Sequence, residues 1–497
     1  MDQLSIAFLS VLFLIVSIIW IKKSPSLPPG PAGLPIVGYL PFLGPDLHLQ
    51  LTSLARKYGP IYKLWLGSKL CVVITSPDLI KQVVRDHDTV FANHDPTVAG
   101  LVATGGLDIL NSPYGPYWRS LRKLFVREMM SNSSLEASYA LRKGEVRRAV
   151  GNVRRRVGSA VDVGELIFVT ELNVILSLLW GGTIRGDDER DRMGAEFREK
   201  VEKFVELLGK ANVSDVFPIL ARFDLQGVAK EMRGVLPSVD EILDSVIRVR
   251  FEGEQDAAGR RGKDFVQILL DLKEEQAMDL TRIKALLMDI VIGGTDTSAT
   301  IVEWVMAELL DNPHVTKRVQ QELTDVVGLN NIVEETHMSQ LKYLEAVVKE
   351  TFRLHPPLPL LIPRLPSQST LLAGYTIPKN SRVVLNVWAN YKDPQVWRNP
   401  SQFRPDRFLN DGGAKFDYMG NNYHYLPFGS GRRVCPGVPL AEKMVMYLLA
   451  TMLHSFDWEL PEGEKVDLSE KFGIVMKKST PLLAVPSPRL PGLSLYE

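Results

Sequence analysis

The stretch Phe428-Gly-Ser-Gly-Arg-Arg-Val-Cys-Pro-Gly437 constrains this chain more than any other. It carries Cys435, one of only two cysteines in 497 residues, with glycines at 429, 431 and 437. Pro436 follows the cysteine, and Arg432 and Arg433 stand just before it. Glycine backbone can come close to a large flat ligand and aim successive N–H groups at one atom. A thiolate held in such a loop is a good axial ligand for haem iron. The competing reading is a structural cysteine buried in a turn.

The composition, 45% hydrophobic and 23% charged, is ample for a large buried core. Length alone would allow about three domains at ~150 residues each. The net charge is zero, so there is no nucleic-acid or polyanion footprint. Two cysteines without a close partner argue against a disulfide framework and suit a reducing compartment. Residues 4–21, LSIAFLSVLFLIVSIIWI, carry no charge. As a helix they would span ~27 Å, close to the ~30 Å hydrocarbon core of a bilayer. Trp20 falls at the interface, Lys22 and Lys23 follow, and only Asp2 and the terminal amine precede, which leaves the body in the cytosol. The rival, a cleaved signal peptide, has a shorter apolar run, basic residues in front and a small-residue cleavage site behind. Next comes SPSLPPGPAGLP, in which proline fixes φ and makes a semi-rigid spacer. We therefore expect a membrane anchor at 1–23, a Pro-rich hinge at 24–35, and one mainly α domain over 36–497.

Within that domain, residues 51–60 read as a short helix ended by Gly59-Pro60. Residues 61–76 read as a hairpin with Cys71 buried in its second strand. Residues 92–116 are rich in Gly, Pro, Asn and Asp and read as a long loop of the kind that is usually functional. Trp118 and Arg122 then share a helix face, beside a basic stripe of Arg119, Lys123 and Arg127. Residues 135–250 are mostly helical by periodicity, and 251–264 form a charged, Gly-broken surface loop.

A long apolar helix pattern runs from Thr281 to Leu310 and is interrupted by Gly293-Gly294. Two interior glycines cost ~2 kcal/mol against alanine, so a flat ligand pressing close or a local opening is expected there. Thr295, Asp296, Thr297 and Ser298 follow, and such side chains can take over backbone bonds and bend a helix. Further on, Glu350 and Arg353 lie one turn apart on an apolar helix. Residues 373–394 read as strand, turn, strand and short helix.

The spacing F-x-x-G-x-R-x-C-x-G, matched at Phe428, Gly431, Arg433, Cys435 and Gly437, resembles the haem-binding signature of the cytochrome P-450 family. The likeness runs nearly end to end. MDIVIGGTDTSATIVEW and YLPFGSGRRVCPG most resemble plant endoplasmic-reticulum members of specialised metabolism. The resemblance implies a mainly α fold with a small β region behind one transmembrane helix. It implies haem b ligated by Cys435, with Phe428 and Gly437 in the cofactor loop and Trp118, Arg122, Arg364 and Arg433 facing the haem propionates. Asp296 would relay protons from water and Thr297 would hydrogen-bond dioxygen. This acid–alcohol pair points to a monooxygenase, because relatives that rearrange peroxides need no such relay. Glu350, Arg353 and Arg407 resemble the family's buried ionic lock.

Candidate pocket positions are apolar: 98–107, Val291, Ile292, 360–362 and 472–475, with no charged anchor among them. They suit a hydrophobic small molecule, a terpenoid by preference and a flavonoid or other phenolic as the alternative. No flavin or NADPH fingerprint occurs in the chain, so a separate NADPH–cytochrome reductase is implied, docking on the basic stripe and Arg432. The expected setting is single-pass in the endoplasmic reticulum membrane, catalytic domain in the cytosol. A P-450-type isomerase or dehydratase and a non-catalytic haem sensor or carrier are the rival classes.

Overall fold

The computed structural model describes residues 26–180, 187–252, 264–274, 278–409 and 416–497. The expected anchor and nearly all of the charged loop at 251–264 lie outside the described residues.

The first helix, α1 (Leu47–Tyr58), ends at Gly59, whose φ of 96° only glycine adopts easily. A hairpin follows as expected, β1 (Ile61–Leu66) and β2 (Lys69–Ile74), in register from Ile61↔Ile74 to Leu66↔Lys69. Cys71 is buried in β2, and burial pushes its thiol up to about 12. The stretch 92–116 is more ordered than its composition suggests. It contains β3 (Asn93–His94) and α2 (Val98–Thr104), capped by the Thr97 hydroxyl at Gly100 N and closed by Gly105 in the left-handed region. The basic stripe lies on α3 (Pro116–Glu128). The helical middle expected from periodicity includes α4 (Val163–Trp180) and α5 (Asp187–Gly209).

The central helix, α6 (Leu280–Asp311), is 32 residues long and starts with the Asp279 carboxylate accepting Arg282 N. It runs unbroken through Gly293-Gly294, which corrects the expected interruption. The hydroxyls of Thr295, Thr297 and Thr300 each donate to the carbonyl four residues earlier, at 2.7–2.8 Å, so these polar side chains are satisfied within the helix. A Cβ on Gly294 would stand 2.8 Å from Ile175 Cδ1, so this glycine admits α4, and both residues lie on the cavity wall described below. A Cβ on Gly293 would meet nothing within 4 Å, and that residue faces the cavity described below. Among the described residues α6 alone has the length and hydropathy to cross a membrane, but 72% of its most apolar window is buried, as in a core helix.

Helix α7 (Lys342–Leu354) carries the ionic lock. Glu350 and Arg353 are both 0% exposed. The Arg353 Nε and Nη2 donate to the two Glu350 oxygens at 2.8 and 2.9 Å. Arg407 Nε and the backbone N–H of Arg404 both reach Glu350 Oε1 at 2.9 Å. Arg353 Nη1 also donates to Tyr391 O, and the Tyr391 hydroxyl accepts Leu426 N at 2.6 Å. The lock therefore grips the approach to the Cys435 loop.

The small β region forms around the hairpin. Strands β4 (Arg364–Leu365) and β5 (Arg382–Leu385) complete a five-stranded sheet of order β1-β2-β5-β4-β3. Strand β2 pairs antiparallel with β1 and parallel with β5, and its apolar run is that of a strand covered on both faces. The last helix, α8 (Val438–Ser455), leaves the cysteine loop with Pro439 in its first turn and is almost wholly buried. The architecture is mainly α with a small β region.

Candidate active site

A cavity of about 340 Å³ lies between α6 and the Cys435 loop. Ile292, Gly293, Asp296 and Thr297 line it from the helix, and Phe428, Cys435 and Gly437 from the loop. The loop is shaped by glycine. Gly429 and Gly431 both have φ of 72°, and a Cβ on Gly431 would strike Val84 O at 2.3 Å. Cys435 N donates to Phe428 O at 3.0 Å, closing the turn, and the thiol opens into the cavity. Burial pushes that thiol up, while the N–H groups of Gly437 and Val438 and the Arg122 guanidinium favour the thiolate. Phe428 packs edge to face on Tyr418 and against Phe352, 5.4 and 5.3 Å between ring centres.

The cationic residues singled out in sequence converge here from three parts of the chain. Arg122, Arg364 and Arg433 all line the cavity, with His94. Arg122 Nη2 holds Val434 O at 2.7 Å, and Arg364 Nη2 holds Ser430 O at 3.1 Å, so both brace the cysteine loop. Arg433 spends its guanidinium on the carbonyls of Ala92, Ile109 and Ser112. Trp118, expected to face the cavity with them, lies behind its wall: its indole N–H is taken by Ile109 O at 2.9 Å and its ring backs the Arg433 guanidinium at 4.4 Å. Burial and mutual repulsion push Arg364 down to about 10 and Arg433 to about 9. Burial, then the same two arginines, hold His94 well below the usual imidazole range. The buried Nε of Arg364 has no partner among the described residues. Such a crowd of cations beside an orphaned donor fits a ligand that brings carboxylates, and the thiol beneath fits its metal.

Asp296 is 3% exposed. Its Oδ1 is ion-paired with Lys477, and its Oδ2 is buried without a partner among the described residues. Burial pushes the carboxyl up and Lys477 pulls it back. Thr297 Oγ1 donates to Gly293 O at 2.8 Å.

The apolar wall corresponds partly to the expected positions. Ala103, Ile292, Leu361, Ile362, Ile474 and Val475 line the cavity. Phe472 stacks instead on His48, 5.0 Å between ring centres. Ile175, Phe204, Val205 and Leu208, from α4 and α5, complete the wall and were not singled out in sequence. Asp108 and Asp289 also line it, two acids outside the apolar positions singled out in sequence. Both are tied internally, since Asn111 N and Nδ2 donate to Asp108 and Ile109 N donates to Asp289 Oδ2 at 3.0 Å.

Known proteins match this arrangement along nearly the whole chain. The cytochrome P-450 family model covers residues 28–485. A flavonoid 3'-monooxygenase of Crocosmia x crocosmiiflora is 40% identical over 492 residues, 96% of each chain. A carnosic acid synthase of Salvia pomifera is 39% identical and a geraniol 8-hydroxylase of Swertia mussotii 37%, over 93% and 94% of each chain. The fold is that of a zebrafish cytochrome P-450 solved with abiraterone, at a TM-score of 0.73 and 24% identity, covering 89% of this chain and 99% of that one. Extended similarity of this kind, over a cavity floored by a glycine-framed thiol, makes the chain a member of the cytochrome P-450 family, a haem monooxygenase of the plant specialised-metabolism kind.

Proposed function

We propose that the cavity would hold haem with the Cys435 thiolate supplying the protein's bond to its iron, and that the enzyme hydroxylates a hydrophobic specialised metabolite held against α6. The observation that carries this is the Cys435 thiol opening beneath Gly293, Asp296 and Thr297. Arg122, Arg364 and Arg433 are the partners for the propionates, the first and last stacked on Trp118, with Phe428 and Gly437 framing the ligand loop. Haem supplies the activation of dioxygen. Asp296 holds a proton at its carboxylate, and the Thr297 hydroxyl, freed from Gly293 O, passes it towards the cavity centre. A hydrophobic substrate filling the cavity would displace bulk water, so protons arrive through side chains.

Because the acids at 108 and 289 are already engaged, the wall offers a ligand mainly shape and apolar surface. This supports a terpenoid substrate, in keeping with relatives named for geraniol and carnosic acid. A flavonoid or phenolic is the second reading, favoured by the 40% identical flavonoid 3'-monooxygenase. The test is a microsomal assay with co-expressed reductase against terpene and flavonoid panels, after screening for the spectral shift that substrates cause. NADPH-dependent hydroxylation of a terpene supports the first reading. Turnover without NADPH contradicts both.

Electrons come from an NADPH–cytochrome reductase. Arg119, Lys123 and Arg127 are exposed on α3, and Arg119 and Arg432 flank the Tyr114 ring at 5.7 and 5.4 Å, so stripe and cysteine loop form one basic face. The domain reading is retained: anchor 1–23, hinge 24–35, catalytic domain 36–497, single-pass in the endoplasmic reticulum. Its support is an exposed apolar surface beside the first described residues. Leu34, Ile36, Phe42 and Trp65 are exposed there. The turn carrying Ile219, Phe223 and Leu225 is joined to the same hairpin by Ser68 N to Val216 O at 3.1 Å.

A further inference from the structure

Asp296 has a partner that no motif supplied. Lys477 forms an ion pair with its Oδ1, and the two side chains are 31% and 4% exposed. Lys477 stands in the short strand Lys477–Lys478, paired antiparallel with Glu470–Lys471, and the turn between them brings Ile474 and Val475 to the cavity. The base of this hairpin is anchored independently of the ion pair. His355, stacked on Trp304 at 3.9 Å, bridges Glu470 Oε1 at 2.8 Å and Glu308 Oε1 at 2.7 Å. Met476 N donates to Pro357 O at 2.8 Å. Lys477 is therefore presented to α6 by the main chain. Its partial exposure connects solvent to a carboxylate that is otherwise sealed, and Asp296 Oδ2 remains uncommitted. The other charged groups facing Asp296 are Glu202, which pushes its carboxyl up, and Arg198, which pulls it down.

We propose that Lys477 is the positioning residue for Asp296 and the point where solvent protons enter the relay. The inference rests on Asp296 being the acid of the reaction. An N–H bond of the ammonium breaks, its proton goes to Asp296 Oδ1, and the electron pair left on Nζ takes a proton from a solvent hydronium ion or buffer acid, whose conjugate base stays in solvent. Asp296 then releases one proton to the cavity, so each cycle moves a single proton and restores both groups.

The test measures product formed and hydrogen peroxide released per NADPH in the reductase-coupled enzyme, with the reduced carbon monoxide spectrum and the substrate shift as controls. Lys477→Met is expected to keep the spectrum and the substrate affinity. It is expected to lower product per NADPH by about tenfold, less than the ~10²–10⁴-fold of a proton-transfer group itself, because Lys477 acts through Asp296. Peroxide rises to match. The midpoint of the pH profile moves upward, because loss of the ammonium removes the larger of the two cationic influences, Lys477 and Arg198, that oppose the burial of Asp296. Lys477→Arg restores most of the product. In an Asp296→Asn background, Lys477→Met adds no further loss, since both act on one step. If Lys477→Met fails to load haem, Lys477→Gln takes its place with the same expected loss. Native product yield and pH profile in these variants, while Asp296→Asn is impaired, overturn the role of Lys477 and leave the proposed function standing. Native yield in Asp296→Asn overturns the reading of Asp296 and this inference with it.

Discussion

Glu350→Ala removes the carboxylate on which the ionic lock turns. Four donors lose their acceptor: Arg353 Nε and Nη2, Arg407 Nε and Arg404 N. Arg353 is left 0% exposed with no counter-charge, retaining only carbonyl partners such as Tyr391 O and Pro400 O at 2.8 Å. Breaking a buried charge cluster by removing one partner costs ~3–5 kcal/mol, about two to three and a half decades in the folding equilibrium. The damage is directed, because Arg353 is linked through Tyr391 to Leu426, just ahead of the cysteine loop. The variant is expected to unfold at markedly lower urea and to accumulate without haem, read from the reduced carbon monoxide spectrum. Arg407→Ala is milder, about 1.5–3 kcal/mol for its hydrogen bond to the buried carboxylate, because Glu350 keeps both bonds to Arg353 and the other Arg407 partners, the carbonyls of Arg398, Asn399 and Gln402, are bonded on the exposed side. Glu345→Ala, at a half-buried pair with Lys349 on the same helix, costs under ~1 kcal/mol. A Glu350→Ala enzyme with full haem and a stability loss under ~1 kcal/mol refutes the lock.

The paired glycines of α6 separate two roles. Gly294→Val drives a side chain into Ile175 and lowers the thermal midpoint by the equivalent of ~1–3 kcal/mol. Gly293→Ala gains up to ~1 kcal/mol of helix propensity but weakens the substrate spectral shift by narrowing the cavity. Burial and the neighbouring Asp108 push Asp289 up to about 8, so folding binds a proton between the ordinary carboxylate range and that value. Its contribution to stability is lost as pH rises towards 8, by at most ~1.4 kcal/mol per pH unit. Asp289→Asn flattens that fall in urea titrations at pH 6 and 8. Lys123→Glu weakens turnover at limiting reductase and makes it less salt-sensitive, and unchanged turnover refutes the docking face.

What was readable in the chain was local. Cys435 with its glycines, Trp118 with Arg122, Asp296 with Thr297, and Glu350 with Arg353 each lie within one loop or one turn, so spacing alone grouped them. Partners from afar were readable only where the family resemblance supplied them, as for Arg407 with Glu350 and for Arg364 and Arg433 with Arg122. Lys477 meets Asp296 from 181 positions away, and Ile109 meets Asp289 from 180. Nothing in either segment names the other. The glycines of α6 show the same limit, because periodicity signals a weak point without saying that Ile175 occupies it. Helix α2 escaped notice because Gly100 and its short length hide the pattern, although Thr97 is a usable cap signal. Phe472 fell outside the cavity because His48, from α1, holds its ring.

The most direct test of the account is the absorption spectrum of the reduced, carbon monoxide-bound enzyme in three forms: native, Cys435→Ser and Cys71→Ser. The native and Cys71→Ser proteins are predicted to show the red-shifted Soret band of a thiolate-ligated haem, and Cys435→Ser to lose it. A Cys435→Ser protein with the native band would place the iron on some other ligand and contradict the assignment of this cavity.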